Sequence, residues 1–223
     1  MADYVLKIIT DLSRLTDRCD EIDAFKEDKR VHHVVASLKD TLLANKNLVA
    51  LSAPQLGFNA RIFCLKFADN DLKTFVNPMI TKSEGMHLSR ENNASLPGVD
   101  YIMPRNDKII VAFQTPTGKL EENIFEGVVA EVIQQQVQML DGILLSDYGL
   151  EIIPEFDKAS EEEKQQVIDL WINHLKERTE KLDKEVDENP DLFKIKKAIE
   201  FMTKVASGEV TIEKQELSKE DAK

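Results

Sequence analysis

Residues 126–142 read EGVVAEVIQQQVQMLDG. Val129, Val132, Ile133, Gln136 and Leu140 recur every three to four residues, which puts them on one face of an α-helix. Asp141-Gly142 stops the run. Three consecutive glutamines, Gln134 to Gln136, lie inside it. Gln135 and Met139 are four apart and so share a helix face.

Upstream of this helix the period changes. Lys108 to Gln114 reads as a strand, Thr115-Pro116-Thr117-Gly118 as a turn, and a second strand runs towards Ile124, which together make a hairpin. Arg61 to Lys66 and Thr74 to Val76 are short strand-like runs, the latter leading into Asn77-Pro78. Residues 5–9 are apolar and extended. From Glu27 to Ala44 the residues Val31, Val34, Val35, Leu38, Leu42 and Leu43 return to helical spacing, and Asn45 to Asn47 end that helix.

Downstream, the composition shifts near Pro154. Ser160 and Glu163 form a capping box, and a long charged helix follows to about Glu185, carrying Trp171 and Leu175. Asn189-Pro190 breaks it. A second helix from Asp191 carries Ile195, Ala198, Ile199 and Met202, and Gly208 ends it. Residues after Lys214 read as a solvated tail. The expectation is an α+β fold over residues 1–154 and a C-terminal helical hairpin with an acidic tail over 155–223. Trp171, Leu175, Ile195 and Met202 are the candidate interaction residues, through which a protein partner or a second copy would bind.

The chain has 223 residues, 42% hydrophobic and 31% charged, with a formal net charge of −12. That size allows one sizeable domain and an appendage. The acidic balance argues against a nucleic-acid surface, which needs a basic face. Cys19 and Cys64 are far apart and form no C-x-x-C, as in a protein whose thiols stay reduced. Met1-Ala2-Asp3-Tyr4 lacks the basic and apolar segments of a signal peptide, and no run approaches 18 apolar residues. The expected location is the cytoplasm, with no membrane contact. Ser52 and Ser95 have no His/Asp pattern around them for nucleophilic catalysis.

Three segments carry a resemblance. Leu48 to Gly57 reads LVALSAPQLG, Glu91 to Gly98 reads ENNASLPG, and Gln134 to Gly142 reads QQQVQMLDG. Their order and spacing resemble peptide deformylase, which removes the formyl group from the N-terminal methionine of new chains. That family shows G-x-G-x-A-A-P-Q, then E-G-C-L-S-x-P-G, then Q-H-E-x-D-H-L-x-G. Arg61-Ile62-Phe63, Val76-Asn77-Pro78 and Pro104-Arg105 extend the likeness, which covers roughly residues 5 to 154.

The resemblance implies a peptide-deformylase-like fold with small sheets around a central helix. It also implies one divalent metal held by a cysteine and two histidines, with a glutamate that handles the proton of the attacking water. In this chain the cysteine position is Asn93, the histidine positions are Gln135 and Met139, and the glutamate position is Gln136. A neutral amide is a poor ligand for zinc or ferrous iron, and it is not a useful base. Gln55 and the backbone N–H of Ala94 fall where the family holds a developing oxyanion, and Glu91 and Ser95 are kept. Leu48 and Ala50 stand where the family has glycines, so the cleft should be narrowed or filled. The neighbouring amides could hydrogen-bond among themselves and tie the vacated place together.

Gln55, Glu91, Ala94 and Gln136 are thus read as vestigial cleft positions, and Asn93, Gln135 and Met139 as former ligand positions. The expectation is a protein with no cofactor that is not an enzyme. It would serve as a structural or protein-interaction component, in a host cell or a virion if the chain is a virus-encoded assembly component. Binding of peptide N-termini without catalysis, and a hydrolase of altered chemistry, are the alternatives.

Overall fold

Strand β2 (Ile62–Ala68) is buried on both faces at its start, and this places the helices. Ile62 and Cys64 point one way, Phe63 and Leu65 the other. On the first side they pack with Val31, Val34, Val35, Leu38 and Leu42 of α1 (Asp28–Ala44). On the second side they meet Ala130, Ile133, Val137 and Leu140 of α2 (Gly127–Leu140). The apolar spacing of each helix is therefore the stripe that faces the sheet. Phe63 stacks on Phe75, with ring centroids 4.4 Å apart, and Phe75 meets Phe113 at 4.5 Å. Such aromatic pairs contribute beyond their buried area.

The structure, a computed structural model, describes residues 4–24, 28–68, 71–152 and 159–185, together with 196, 199, 200, 203 and 204. The chain divides into two compact units, Met1–Pro154 and Glu155–Lys223. The first is α+β. Its larger sheet has the order β1-β2-β3-β6-β7, with β1 Ala50–Ser52, β3 Asp71–Glu84, β6 Lys108–Gln114 and β7 Leu120–Glu126. A smaller sheet has the order β4-β5-β8, with β4 His87–Asn93, β5 Leu96–Arg105 and β8 Leu150–Ile152. Every pairing is antiparallel.

The hairpin expected over 108–124 is β6–β7. The strands between residues 71 and 105 exceed the expectation, which had only Thr74 to Val76 there. Asn77-Pro78 reads as a stop, yet β3 continues through it. Asn77 adopts a positive φ of 48°, at a step where the β3–β6 register shifts. Asn tolerates this left-handed region better than most residues. Its side chain also accepts from Ile22 N–H at 3.0 Å and donates to Ile22 C=O at 2.8 Å, which anchors the preceding loop. A bulge has replaced the turn.

At the end of α2, Gly142 has φ 73° and lies against the Thr16 backbone, where an added Cβ would collide with the Thr16 carbonyl. The Asp-Gly stop thus comes from close chain packing as well as from the turn itself. Arg61 bonds the Asp141 carboxylate and fixes the same corner.

In the second unit, Ser160 and Glu163 form the expected capping box. Ser160 N–H donates to Glu163 at 2.8 Å, and Ser160 Oγ accepts from Glu163 N–H at 3.3 Å. Helix α3 (Glu161–Glu185) follows. Trp171 and Leu175 are buried and present little free surface. Ile195, Met202 and most of the second expected helix lie outside the described residues. No helix among the described residues is long and apolar enough to cross a membrane.

Burial pushes the thiols of Cys19 and Cys64 up to about 11. At pH 8 roughly one thiol in a thousand is then thiolate, the reactive form. Both cysteines should resist a thiol reagent at pH 8 in the native protein and react promptly in 6 M guanidinium. Rapid native labelling at either position would contradict the packing described.

Candidate functional site

The alternation of β4 brings its polar residues together. Ser89, Glu91 and Asn93 are buried and share one face with His87. That face meets α2, where Glu131 and Gln135 are four apart and Gln138 follows. His87 Nδ1 lies 2.5 Å from Asp107 Oδ1, and its Nε2 lies 3.0 Å from Glu131 Oε1. Ser89 Oγ donates to the other Glu131 oxygen at 2.6 Å. Sequence reasoning gave His87 no special role. A two-residue period in β4 set against a three-to-four period in α2 was the available signal.

Next along β4, Glu91 forms a two-point ion pair with Arg105 of β5. Arg105 Nε donates to Oε1 at 2.5 Å and Nη2 donates to Oε2 at 2.7 Å. Arg105 is 1% exposed. Its burial favours the neutral guanidine, but the adjacent Glu91 charge more than offsets this and holds Arg105 above the usual guanidinium range. Arg105 Nη1 donates to Gln138 Oε1 at 2.8 Å. Glu91 Oε2 also accepts from Gln135 Nε2 at 2.9 Å. One buried pair thus joins β4 and β5 of the smaller sheet to α2.

The end of β4 carries an amide chain. The β4–β5 register shifts between Asn92 and Asn93, and Asn93 Oδ1 turns back to accept from Ser95 N–H at 2.8 Å. Opposite it, Ala53–Leu56 forms a 3-10 turn after β1. Gln55 Oε1 accepts from both the N–H and the Oγ of Ser52 at 3.0 Å. Gln55 Nε2 donates to Asn93 Oδ1 at 3.0 Å and to Ser95 Oγ at 3.2 Å. Asn93 Nδ2 donates to Gln135 Oε1 at 3.0 Å, and Gln136 Nε2 reaches the same oxygen at 3.4 Å. Gln136 is 2% exposed, and its Oε1 has no hydrogen-bond partner. An unsatisfied buried acceptor costs about 1–3 kcal/mol.

Gln134 stays out of this chain. Its side chain accepts from Asn106 N–H at 2.9 Å and donates to Asn106 C=O at 3.0 Å, bracing the β5–β6 turn. Of the three glutamines, only Gln135 and Gln136 face the cleft. That cleft has a volume of about 200 Å³ and is lined by Leu48, Ala50, Gln55, Asn93, Val132 and Gln136 among others. The side chains at Leu48 and Ala50, expected to narrow or fill the cleft, line it without filling it. Ala94 lines it too.

The donor set does not fit the metal that the resemblance implies. The Asn93 and Gln135 side-chain oxygens each already accept from two donors, and an amide oxygen has two lone pairs. Met139 packs with Leu15 and Leu144. Among the described residues, no group of three His, Cys, Asp or Glu is placed to hold an ion.

A family model described as polypeptide deformylase matches residues 5–153. The peptide deformylase of Dictyoglomus turgidum is 34% identical over 126 residues, which cover 56% of this chain and 81% of that protein. Among solved structures, a peptide deformylase from Legionella pneumophila superposes with a TM-score of 0.59 at 24% identity, covering 73% of this chain and 90% of that one, and shares the fold. A probable peptide deformylase from Synechococcus phage S-SSM7 superposes with the same TM-score at 30% identity, covering 64% of this chain and 99% of the phage protein. These findings overturn the expectation that the chain is not an enzyme. The matching family and the similar proteins carry the name of an enzyme, and nothing in the fold or the cleft shows catalytic inactivity.

Breaking the buried pair has a definite expected effect. Arg105→Met leaves Glu91 charged and unpaired in the interior and should cost about 3–5 kcal/mol in urea unfolding. Replacing both residues, Glu91→Leu with Arg105→Met, should cost less than Arg105→Met alone. A double variant at least as unstable as that single one would show that the pair is not the anchor.

Proposed function

The chain belongs to the polypeptide deformylase family, and from that premise we propose that its cleft binds the N-terminal end of a polypeptide. The observation that carries the reading is the position of the cleft between two sheet edges. β1 ends the larger sheet and β4 ends the smaller one, and residues of both line the cleft. Edge strands present free backbone groups. Val49 C=O accepts from Lys66 N–H on the β2 side, so antiparallel alternation turns the backbone groups of Ala50 away from β2. An extended peptide laid along such an edge gains main-chain hydrogen bonds, and pockets read its alternate side chains.

Leu48, Ala50, Val128 and Val132 give the cleft its apolar lining, which suits an apolar first side chain such as methionine. Its ends are polar, at Gln55, Asn93 and Gln136 on one side and Arg90 on another. Size supports a terminus: about 200 Å³ suits one or two residues rather than a folded surface. The protein-interaction role expected for this scaffold then takes a specific form, in which the partner is the polypeptide whose first residues enter the cleft.

Calorimetric titration with Met-Ala-Ser tripeptides, both formylated and with a free amine, tests the reading. Saturable binding by at least one of them is expected. Val132→Trp should weaken it by about tenfold or more, with circular dichroism checking that the variant is folded. No heat from either peptide at millimolar concentration would rule the reading out. Formate release followed in the same samples reports whether binding leads on to hydrolysis.

A further inference from the structure

Strand β7 ends the larger sheet at the opposite end from β1, and its pairing with β6 fixes which backbone groups it leaves over. Gly127 N–H donates to Asp107 C=O at one end of the ladder, and Thr115 N–H donates to Lys119 C=O at the other. In an antiparallel ladder the residues that bond the partner alternate. Glu121, Asn123 and Phe125 therefore turn their N–H and C=O to β6, and Leu120, Glu122, Ile124 and Glu126 turn theirs outward. Apolar side chains stand bare beside these groups. Leu120 is 74% exposed and Ile124 58%. Met79, opposite Ala112, which is itself opposite Glu122, adds a third exposed apolar side chain to the same sheet face.

Native edge strands are commonly blunted by proline, lysine or a bulge. Strand β7 has none of these over Leu120–Glu126. Its glutamates are occupied within their own sheet. Glu121 lies 3.3 Å from both Lys73 and Lys119, Glu126 lies 2.9 Å from Lys108, and Glu122 accepts from Thr81 Oγ1 at 3.2 Å.

We infer that β7 is a self-association edge, on which a second copy of this chain adds its own β7 antiparallel, about a two-fold axis at Asn123. That register sets Leu120 opposite Glu126 of the other copy, Glu121 opposite Phe125, and Glu122 opposite Ile124. The outward residues then exchange main-chain hydrogen bonds, and no glutamate faces a glutamate. Like charges directly opposite destabilise a strand pair. Moving the axis by one residue sets Glu122 against its own copy or against Glu126. Leu120 of one copy lies diagonal to Ile124 of the other, within reach of long side chains, so the apolar rows run on across the junction. A basic partner has little to pair with on this edge, because the acidic side chains already hold cations or a hydroxyl. A second copy needs only the free backbone and the two apolar residues. Seven residues make a small contact, so the dimer is weak and concentration-dependent. Each copy carries a net charge of −12, and salt, which shortens the reach of that repulsion, strengthens the association.

Sedimentation of the intact chain over a concentration series tests this. A monomer–dimer equilibrium is expected, tighter in about 0.5 M than in about 0.05 M sodium chloride. Ile124→Lys should weaken it by about tenfold or more. Glu122→Pro removes an outward N–H and takes none from the β6 ladder, so it should weaken the dimer as well; circular dichroism checks that both variants are folded. The native cysteines are buried, so Asn123→Cys adds a specific probe of the register. The two Cα atoms at position 123 would lie about 4.5 Å apart, within the span of about 4.4–6.8 Å that a disulfide bridges, and mild oxidation should yield a covalent dimer. Lys119→Cys places an exposed thiol opposite Gly127 of the other copy and should not cross-link. A monomer at every concentration, a dimer that salt weakens, a dimer unchanged in a folded Ile124→Lys, or equal cross-linking at positions 119 and 123 would overturn the inference.

Discussion

The buried Glu91–Arg105 pair is the constraint from which the site is built. A charge in the interior is tolerated only when its partner is fixed and its remaining positions are satisfied. Here the carboxylate takes two bonds from Arg105 and one from Gln135, and the guanidinium adds one to Gln138. Those demands set the register of β4 on β5 and the rotation of α2 above them. Gln135 is consequently held beside Asn93, and Asn93 beside Gln55. The geometry of the cleft is a consequence of where one ion pair has to sit.

Around that pair, the cleft is finished with neutral amides. An amide carries both donors and acceptors, so a row of them can close on itself. Gln55, Asn93 and Gln135 nearly do. Gln136 completes the row at one end with its amino group and leaves its oxygen over. The chemistry offered to a ligand is therefore set largely by which polar atoms the network leaves over, since Glu91 is paired with Arg105, Glu131 with His87 and Ser89, and Arg90 with Asp100 within the protein.

Much of the frame was legible in the sequence because it depends on periodicity. The stripes of α1 and α2, the β6–β7 hairpin and the Ser160 capping box follow from spacing and local chemistry. The three motif segments gave the family fold, since their order survives the changes within them. What escaped the reading depends on contacts between distant segments. Asn77-Pro78 looked like an end because local turn chemistry cannot reveal that Asn77 would be pinned to Ile22. The β4–β5 pairing was hidden inside a stretch read as a motif. Glu91 does line the cleft, but its ion pair with Arg105, 14 positions on, was not visible in the sequence. The three adjacent glutamines could not be sorted by position alone, and Gln134 turned out to brace a loop. The inference of a non-enzyme from substituted positions went further than the residues allow, because the relatives of the chain are named as enzymes and a changed donor set describes a site without measuring its turnover.

The central claim is that a polypeptide terminus lies between β1 and β4. A crystal structure of the chain grown with Met-Ala-Ser tests it most directly. The account predicts an extended peptide between the two strand edges, with its methionine side chain against Val132 and main-chain hydrogen bonds of about 2.7–3.2 Å to the backbone of β1 or β4. A peptide bound elsewhere, or one that makes no main-chain hydrogen bond to either strand edge, would contradict it.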